Sequence, residues 1–198
     1  MKKTLTIVFL IAMTISQTVL FAQETKPAPQ PNEKEMAAWM AYMTPGKYHT
    51  FLAQTNGMWN TEITMWMEPG ATPTTSKGTC ENSMILGGRY QESVHKNEWN
   101  GAPFEGKATV GFDNILKKYQ STWIDNMGTG MMIMEGVYND KTKTLMTTGK
   151  MVDPMAGTVI SVREVMTFMD ENTYAMDMYI TNKGKEFKTM NIKYTRVR

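Results

Sequence analysis

The chain has 198 residues, of which 41% are hydrophobic and 20% are charged, and its formal net charge is +2. This length suits one domain with a core of its own. The small net charge, without a basic patch between aromatic residues, argues against a nucleic-acid partner. The single cysteine, Cys80, excludes an intrachain disulfide, so stability has to come from packing, and we expect the thiol to be buried.

The first 22 residues are predicted to be an export signal. Lys2 and Lys3 precede the apolar run TLTIVFLIAMTISQTVLFA, and Ala22 is a small residue at the expected cleavage point. Polar residues interrupt the run, so a stable membrane anchor is not expected. Loss of the two lysines lowers Lys+Arg from 21 to 19, which balances the 19 acids. We expect an exported mature protein without net charge, periplasmic or secreted, that begins near Gln23.

Two further segments precede the main domain. Residues 23–33, QETKPAPQPNE, are rich in proline and predict an extended spacer. Residues 34–56 predict a helical segment with one or two short helices. Asn32 is the expected cap of the first helix, which ends before Pro45–Gly46, and the second helix ends at Asn56–Gly57. We expect the apolar stripes of both helices to pack against the domain.

Residues 57–198 predict a β domain of about ten strands, because short segments rich in Thr, Val, Ile, Tyr, Trp and Met alternate with turn residues. The predicted strands are 58–67, 75–86, 89–98, 104–112, 118–125, 130–138, 143–150, 158–169, 173–181 and 186–196. Sequential strands with short turns favour a mainly β fold, a single up-and-down antiparallel β-barrel. A parallel sheet would need helical crossovers, and the sequence has none of adequate length.

The start of the first strand, Gly57–Met58–Trp59, resembles the Gly-x-Trp start of lipocalins and related calycin barrels. In that group the tryptophan packs under the barrel floor, near an arginine of the last strand. The resemblance implies structural roles for Gly57 and Trp59, and it implies that Arg196 or Arg198 takes the place of the arginine.

A longer resemblance covers about Pro45 to Arg196. The strings TMWMEPG, MILGGRY, PFEGKATVGFDNILKKY, STWIDNMGTGMMIMEG, VREVMTFMDENTYAMDMY and GKEFKTMNIKYTR are similar to the exported bacterial domain-of-unknown-function family 1579, DUF1579. The resemblance implies a calycin-like barrel. It implies no activity and supplies no catalytic residues.

The stretch WIDNMGTGMMIMEG, residues 123–136, is the most unusual part of the sequence, with four methionines in eight residues. Core filling, the wall of an adaptable apolar pocket and a Cu(I) site all use methionine. Methionines are dispersed over nearly every segment, which favours packing or a pocket over copper. His95 also leaves haem as an alternative, because a haem iron needs only one axial histidine. No cofactor is predicted, and copper and haem are kept as alternatives.

Three acids are candidates for a buried site. Asp125 and Glu135 are expected to face each other near one mouth of the barrel. Glu164 lies in an apolar stripe, so it needs a partner, for which Arg163, Arg89 and Tyr179 are the candidates. Structural pairing of these acids is favoured over catalysis.

These patterns predict a protein that binds a small apolar or amphipathic molecule in a Met- and aromatic-lined lumen. The predicted ligand-binding residues are Trp66, Trp123, Asp125, Met132, Met134, Glu135, Arg163, Glu164 and Tyr179. One alternative is an enzyme that uses the acids as a base with Arg163 as electrostatic partner, although the usual enzyme motifs are absent from the sequence. The other is a structural or interaction barrel with a filled lumen. The sequence does not indicate the ligand or the oligomeric state.

Overall fold

The computed structural model describes residues 30–182 and 184–198. The predicted export signal and residues 23–29 of the predicted spacer lie outside this range. Two helices precede ten strands: α1 (Glu33–Met43), α2 (Lys47–Ala53), β1 (Gly57–Met65), β2 (Thr74–Ile85), β3 (Tyr90–Trp99), β4 (Ala102–Asp113), β5 (Lys118–Asp125), β6 (Met132–Asn139), β7 (Thr144–Asp153), β8 (Thr158–Asp170), β9 (Thr173–Asn182) and β10 (Lys185–Arg196). Neither helix in the described part of the chain is long and apolar enough to span a membrane.

The ten strands form a closed barrel. Each strand pairs antiparallel with its neighbours in sequence, and β1 also pairs with β10. The predicted mainly β fold and the predicted up-and-down topology are therefore confirmed. Each predicted strand limit lies within about three residues of the observed one, because Gly, Pro, Asn and Asp mark the turns. Closure gives every strand a partner on both sides and removes the free edges of an open sheet.

Helix α2 closes one end of the barrel, which we call the floor. Its Leu52 is buried, and its Phe51 packs with ring centroids 4.2 Å from Tyr138 and 4.9 Å from Phe168. Tyr48 of the same helix stacks on Phe112, with centroids 4.1 Å apart. The apolar stripe of α2 thus packs against the domain as predicted, and aromatic side chains fill the floor half of the barrel.

Helix α1 is attached much more loosely. The predicted Asn32 cap is present, since its side chain accepts a hydrogen bond from the backbone N–H of Glu35 at 3.0 Å. The prediction that the apolar stripe of α1 packs against the domain is wrong, because none of its residues is buried and Trp39 is 57% exposed. The reason is that α2 already covers the floor. The Asn114 side chain holds the C-terminal end of α1 by donating to the carbonyls of Ala41, Tyr42 and Thr44.

The first and last strands meet in a tryptophan–arginine contact at the floor. Trp59 is 1% exposed, and the guanidinium carbon of Arg196 lies 4.2 Å from the centre of its ring. Arg196 also donates to the carbonyl oxygens of Asn56 at 2.6 Å and Gln54 at 2.7 Å. The expected arginine of the last strand is therefore Arg196 and not Arg198.

Candidate functional site in the barrel lumen

The barrel interior differs between the floor and the opposite end, which we call the mouth, where β5 ends at Asp125 and β6 begins at Met132. Near the floor, inward side chains such as Tyr119 and Tyr174 are 1–2% exposed. From the middle of the barrel to the mouth, many inward side chains remain partly exposed: Ile63, Met65, Val110, Trp123, Met132, Ile160, Met178, Ile180, Phe187 and Met190. An inward side chain of a closed barrel can be exposed only to the lumen or its mouth, so this half contains internal space.

Two different walls enclose this space. Met178, Met190 and Met65 lie directly opposite one another on β9, β10 and β1, and we call them the methionine wall. Strands β2 to β5 carry small inward residues, the small-residue wall, consisting of Ser76, Ser93, Ala108 and Ser121. At the mouth, a cleft of about 520 Å³ opens between β1, β2 and β3 and is lined in part by Met65 and Trp99. Flexible thioethers thus line one side of the interior, and small side chains occupy inward positions on β2 to β5.

Glu164 lies in the same ladder row as the methionine wall, directly opposite Met178. It is partly exposed to the lumen, and desolvation by the surrounding barrel raises its pKa to about 7. No described residue hydrogen-bonds or ion-pairs with its carboxyl group. The predicted pairing of Glu164 with Arg163, Arg89 or Tyr179 is therefore wrong. Alternation along the strands places Arg163 and Tyr179 on the outer face, where Arg163 binds Glu186 at 2.6 and 2.9 Å, and Arg89 donates to a backbone carbonyl instead.

Asp125 and Glu135 do not face each other. The Asp125 carboxylate points inward at the mouth and accepts hydrogen bonds from the Trp123 indole at 2.8 Å and the Met127 backbone at 2.9 Å. Glu135 points outward and binds Lys118 at 2.7 Å. The expectation of an acid pair is wrong because the register pairs Glu135 with the outward residue Gln120.

Trp66 also lies outside, where the Lys188 ammonium is 5.9 Å from its ring and from that of Tyr179. The predicted ligand-binding set therefore divides in two. The residues on the lumen side are Trp123, Asp125, Met132, Met134 and Glu164. The residues on the outer surface are Trp66, Glu135, Arg163 and Tyr179. Glu135 and Arg163 therefore cannot act in the lumen, as the enzyme alternative requires. The Asp125 carboxylate already accepts hydrogen bonds from Trp123 and from the turn that follows β5.

Trp123 forms the aromatic part of the lumen wall. Its indole lies against Gly106, where any Cβ would overlap the ring. Its ring centroid is 5.2 Å from that of His95 and 6.4 Å from that of Phe104. Gly106 is therefore required for close approach, and it holds the indole flat against β4.

Sequence reasoning missed the pairing of Cys80 with His95, whose Nε2 lies 3.4 Å from the sulfur. The turn at Gly87–Gly88 could have predicted this pairing. Cys80 and His95 are equally far from the turn along the chain, and they are directly opposite each other in the β2–β3 hairpin. Burial raises the pKa of Cys80 to about 12 and lowers that of His95 to about 4, so both groups are neutral at pH 7. The predicted burial of Cys80 is confirmed at 1% exposure, and a neutral thiol is a poor nucleophile.

One buried side-chain oxygen has no hydrogen-bond partner in the described part of the chain. The side-chain oxygen of Asn97 is buried and accepts no hydrogen bond. Burial raises the pKa of the Tyr194 phenol, and the neighbouring ionisable groups Tyr174, Cys80 and Glu164 raise it further. Within residues 30–182 and 184–198, no three His, Cys, Asp or Glu side chains are grouped as metal ligands. The lumen is thus mainly apolar, with a few polar groups free to bind something else.

Comparison with known proteins agrees with this architecture. No curated protein matches the chain. Among solved structures, the crystal structure of Rv2717c from M. tuberculosis is similar, with a TM-score of 0.57 and 10% identity over 78% of this chain and 100% of that chain. This likeness concerns the fold alone. The sequence model of a family described as protein of unknown function, DUF1579, matches residues 44–196, the second helix and the complete barrel. The chain therefore belongs to the DUF1579 family.

Proposed function

We propose that this protein binds a small apolar or amphipathic molecule in the lumen, between the methionine wall and the small-residue wall. The observation that carries the proposal is the partial exposure of inward apolar side chains in a closed barrel. Apolar surface that faces an internal space gains free energy when a ligand of suitable shape removes it from water. Methionine adapts its shape to the ligand, and Trp123 adds a flat apolar surface with a polar edge.

The test compares two tryptophan variants. Trp123→Ala removes an indole from the lumen wall, whereas Trp39→Ala removes an exposed indole from α1. We expect Trp123→Ala to weaken binding of an apolar fluorescent probe by roughly tenfold and Trp39→Ala to leave it unchanged. Met134→Ala removes a side chain from the lumen wall and enlarges the lumen, and we expect it to weaken probe binding as well. Equal affinity in all variants would place the probe outside the lumen.

The natural ligand is sought by native mass spectrometry on protein purified without detergent. We expect an additional mass that denaturation releases, and the released molecule identifies the ligand class, with copper and haem among the alternatives that its mass distinguishes. Protein without additional mass that also fails to bind apolar probes would contradict the proposal and favour a structural barrel.

We also propose that the protein is exported and that its barrel is of the calycin type. Lys2, Lys3 and the apolar run that follows support export, and the contact of Trp59 with Arg196 supports a calycin-like barrel. We expect protein from the periplasmic or secreted fraction of a host that expresses the full chain to begin near Gln23, as measured by its intact mass. Full-length protein confined to the cytoplasm would contradict export.

A further inference from the structure

We propose that the lumen ligand is an amphipathic amine, whose cationic head binds the Glu164 carboxyl group and whose apolar tail extends along the methionine wall toward the mouth. This inference rests on the proposed function, since it requires a ligand in the lumen. The geometry points to a cation because the inward Glu164 carboxyl group has no hydrogen-bond donor and no cation beside it among the described residues.

The protein offers Glu164 little compensation for its burial. Its cross-strand neighbours are Met178 on β9 and Thr147 on β7, and neither has a charge. Gly136, the next residue in that row, has no side chain and also adds no charge, and a Cβ there would overlap the backbone of Met146 and Thr147 on β7. A buried acid without a cationic partner is costly to ionise. A ligand ammonium would supply the missing charge and hydrogen-bond donors.

The other titratable groups that face the lumen do not replace this cation. They are Cys80 on β2, His95 on β3, Tyr119 and Asp125 on β5, Tyr138 on β6, Asp153 on β7, Tyr174 on β9, and Tyr194 and Lys185 on β10. Among these only histidine and lysine form cations, and burial keeps His95 neutral at pH 7. Lys185 is exposed and pairs with Asn182, four residues along β9 from the partner of Glu164, or about 13 Å along the strand.

The neighbours of Glu164 in its ladder row provide the apolar part of the site. Met178 lies directly opposite Glu164, and Met190 and Met65 continue the row on β10 and β1. A hydrocarbon chain attached to the bound ammonium would lie against these flexible thioethers. The apolar residues nearer the mouth, Ile180 and Phe187 among them, are suited to a hydrocarbon tail.

The experiment uses three probes with the same ten-carbon chain: decylammonium, decanol and decanoate. Each is titrated calorimetrically into the wild-type protein at pH 7.5, below its micelle concentration. We expect decylammonium to bind at least about tenfold more tightly than decanol, because hydrogen bonds to charged groups are stronger than neutral ones, and decanoate to bind most weakly. Decanol or decanoate binding as tightly as the amine would overturn the inference while leaving lumen binding intact. No binding of any probe would overturn the proposed function with it.

Two glutamate variants locate the effect. Glu164→Gln keeps the shape of the side chain and removes its charge, and we expect it to lower decylammonium affinity by about tenfold while decanol affinity changes by less than about twofold. Glu135→Gln, on the outer wall beside Lys118, is the matched control and should leave both affinities unchanged. Equal loss in the two variants would mean surface binding and would overturn the inference.

A pH titration provides a second readout that needs no variant. The carboxyl group ionises as the pH rises through about 7, so decylammonium affinity should increase between pH 6 and pH 8 while decanol affinity stays constant. An amine affinity that does not change over this range would contradict the role of Glu164.

Discussion

Glu164 and His95 are ionisable residues of the barrel interior whose pKa values are shifted in opposite directions by burial. The pKa of Glu164 rises from 4.5 to about 7, so between these values the folded protein keeps a proton that the unfolded chain releases. Its contribution therefore lowers stability as the pH rises. The pKa of His95 falls from 6.5 to about 4, so the unfolded chain binds a proton that the folded protein excludes. Its contribution lowers stability as the pH falls.

These two contributions oppose each other between about pH 4.5 and pH 6.5, and single variants should separate them. Relative to the wild type, we expect Glu164→Gln to gain stability as the pH rises from 4.5 to 8, by up to about 3 kcal/mol. His95→Asn should gain stability relative to the wild type as the pH falls below 6.5. Urea unfolding of all three proteins across this pH range gives the differences. A Glu164→Gln difference that is independent of pH would show that Glu164 has an ordinary pKa in the folded protein.

At the scale of elements, the two helices have separate roles although they are adjacent in the chain. Helix α2 contributes Phe51 and Leu52 to the filled floor, whereas α1 buries no residue and is held chiefly through Asn114. The family match likewise begins at residue 44, after α1. The free energy of folding should therefore depend on α2 and very little on α1.

A truncation tests this difference. We expect a chain that begins at Thr44 to lose less than about 1 kcal/mol of stability, since no packed side chain is removed. Phe51→Ala in the full chain should cost about 3–5 kcal/mol, because it leaves a cavity among the floor aromatics. Both values come from urea unfolding. A truncated chain as unstable as Phe51→Ala would mean that α1 packs on the barrel after all.

At the scale of the whole molecule, the Arg196 side chain links three parts of the fold: β1, the segment after α2 and the turn between β8 and β9. It packs on Trp59 of β1 and donates to the carbonyls of Gln54 and Asn56 after α2 and to that of Glu171 in the turn between β8 and β9. Gly57, beside the guanidinium, has a φ of +111°, a backbone conformation that favours glycine. The planar group satisfies three carbonyls at once, which an ammonium cannot do from one position.

We expect Arg196→Lys to destabilise the protein by about 1–3 kcal/mol, because carbonyls that now accept from the guanidinium lose their donor. Arg198→Lys is the control, since that exposed residue follows the last strand. Thermal unfolding monitored by far-UV circular dichroism compares the two. Equal melting temperatures of the two variants would mean that the hydrogen bonds of Arg196 to the carbonyls do not stabilise the protein. The contact with the Trp59 ring, which a lysine can partly replace, would then account for the contribution of Arg196 to stability.

Much of the fold was predictable because each hairpin has recognisable turn residues and because inward and outward side chains alternate along most strands. The inward position of Glu164 also follows from sequence, through Val162, Met166 and Phe168 on the same face. The orientation of Glu135 did not follow, because β6 is apolar on both faces and only pairing with neighbours decides which face is inside. Arg163 was proposed as a partner although it is adjacent to Glu164 in sequence, and adjacent residues of a strand point to opposite faces.

The exposure of α1 could not be predicted from its own residues. Its pattern, with Met36, Trp39 and Met40 at helical spacing, is the one expected of a helix that packs on a core. Whether a packing surface is available depends on how completely α2 covers the floor, which is a property of the assembled barrel. Local patterns therefore predicted the helix and its cap, and tertiary structure decided its partner.

Closure of the barrel by β1 and β10 has a consequence for synthesis. The contact between Trp59 and Arg196 joins the first strand of the barrel to the last residue of its last strand. While a ribosome is still translating, β1 lacks one of its two neighbours, and the growing sheet has open edges available to other chains. A product that stops before β10 keeps two such edges permanently. Premature termination should therefore yield an open sheet that aggregates through its unpaired edges, and not a smaller barrel.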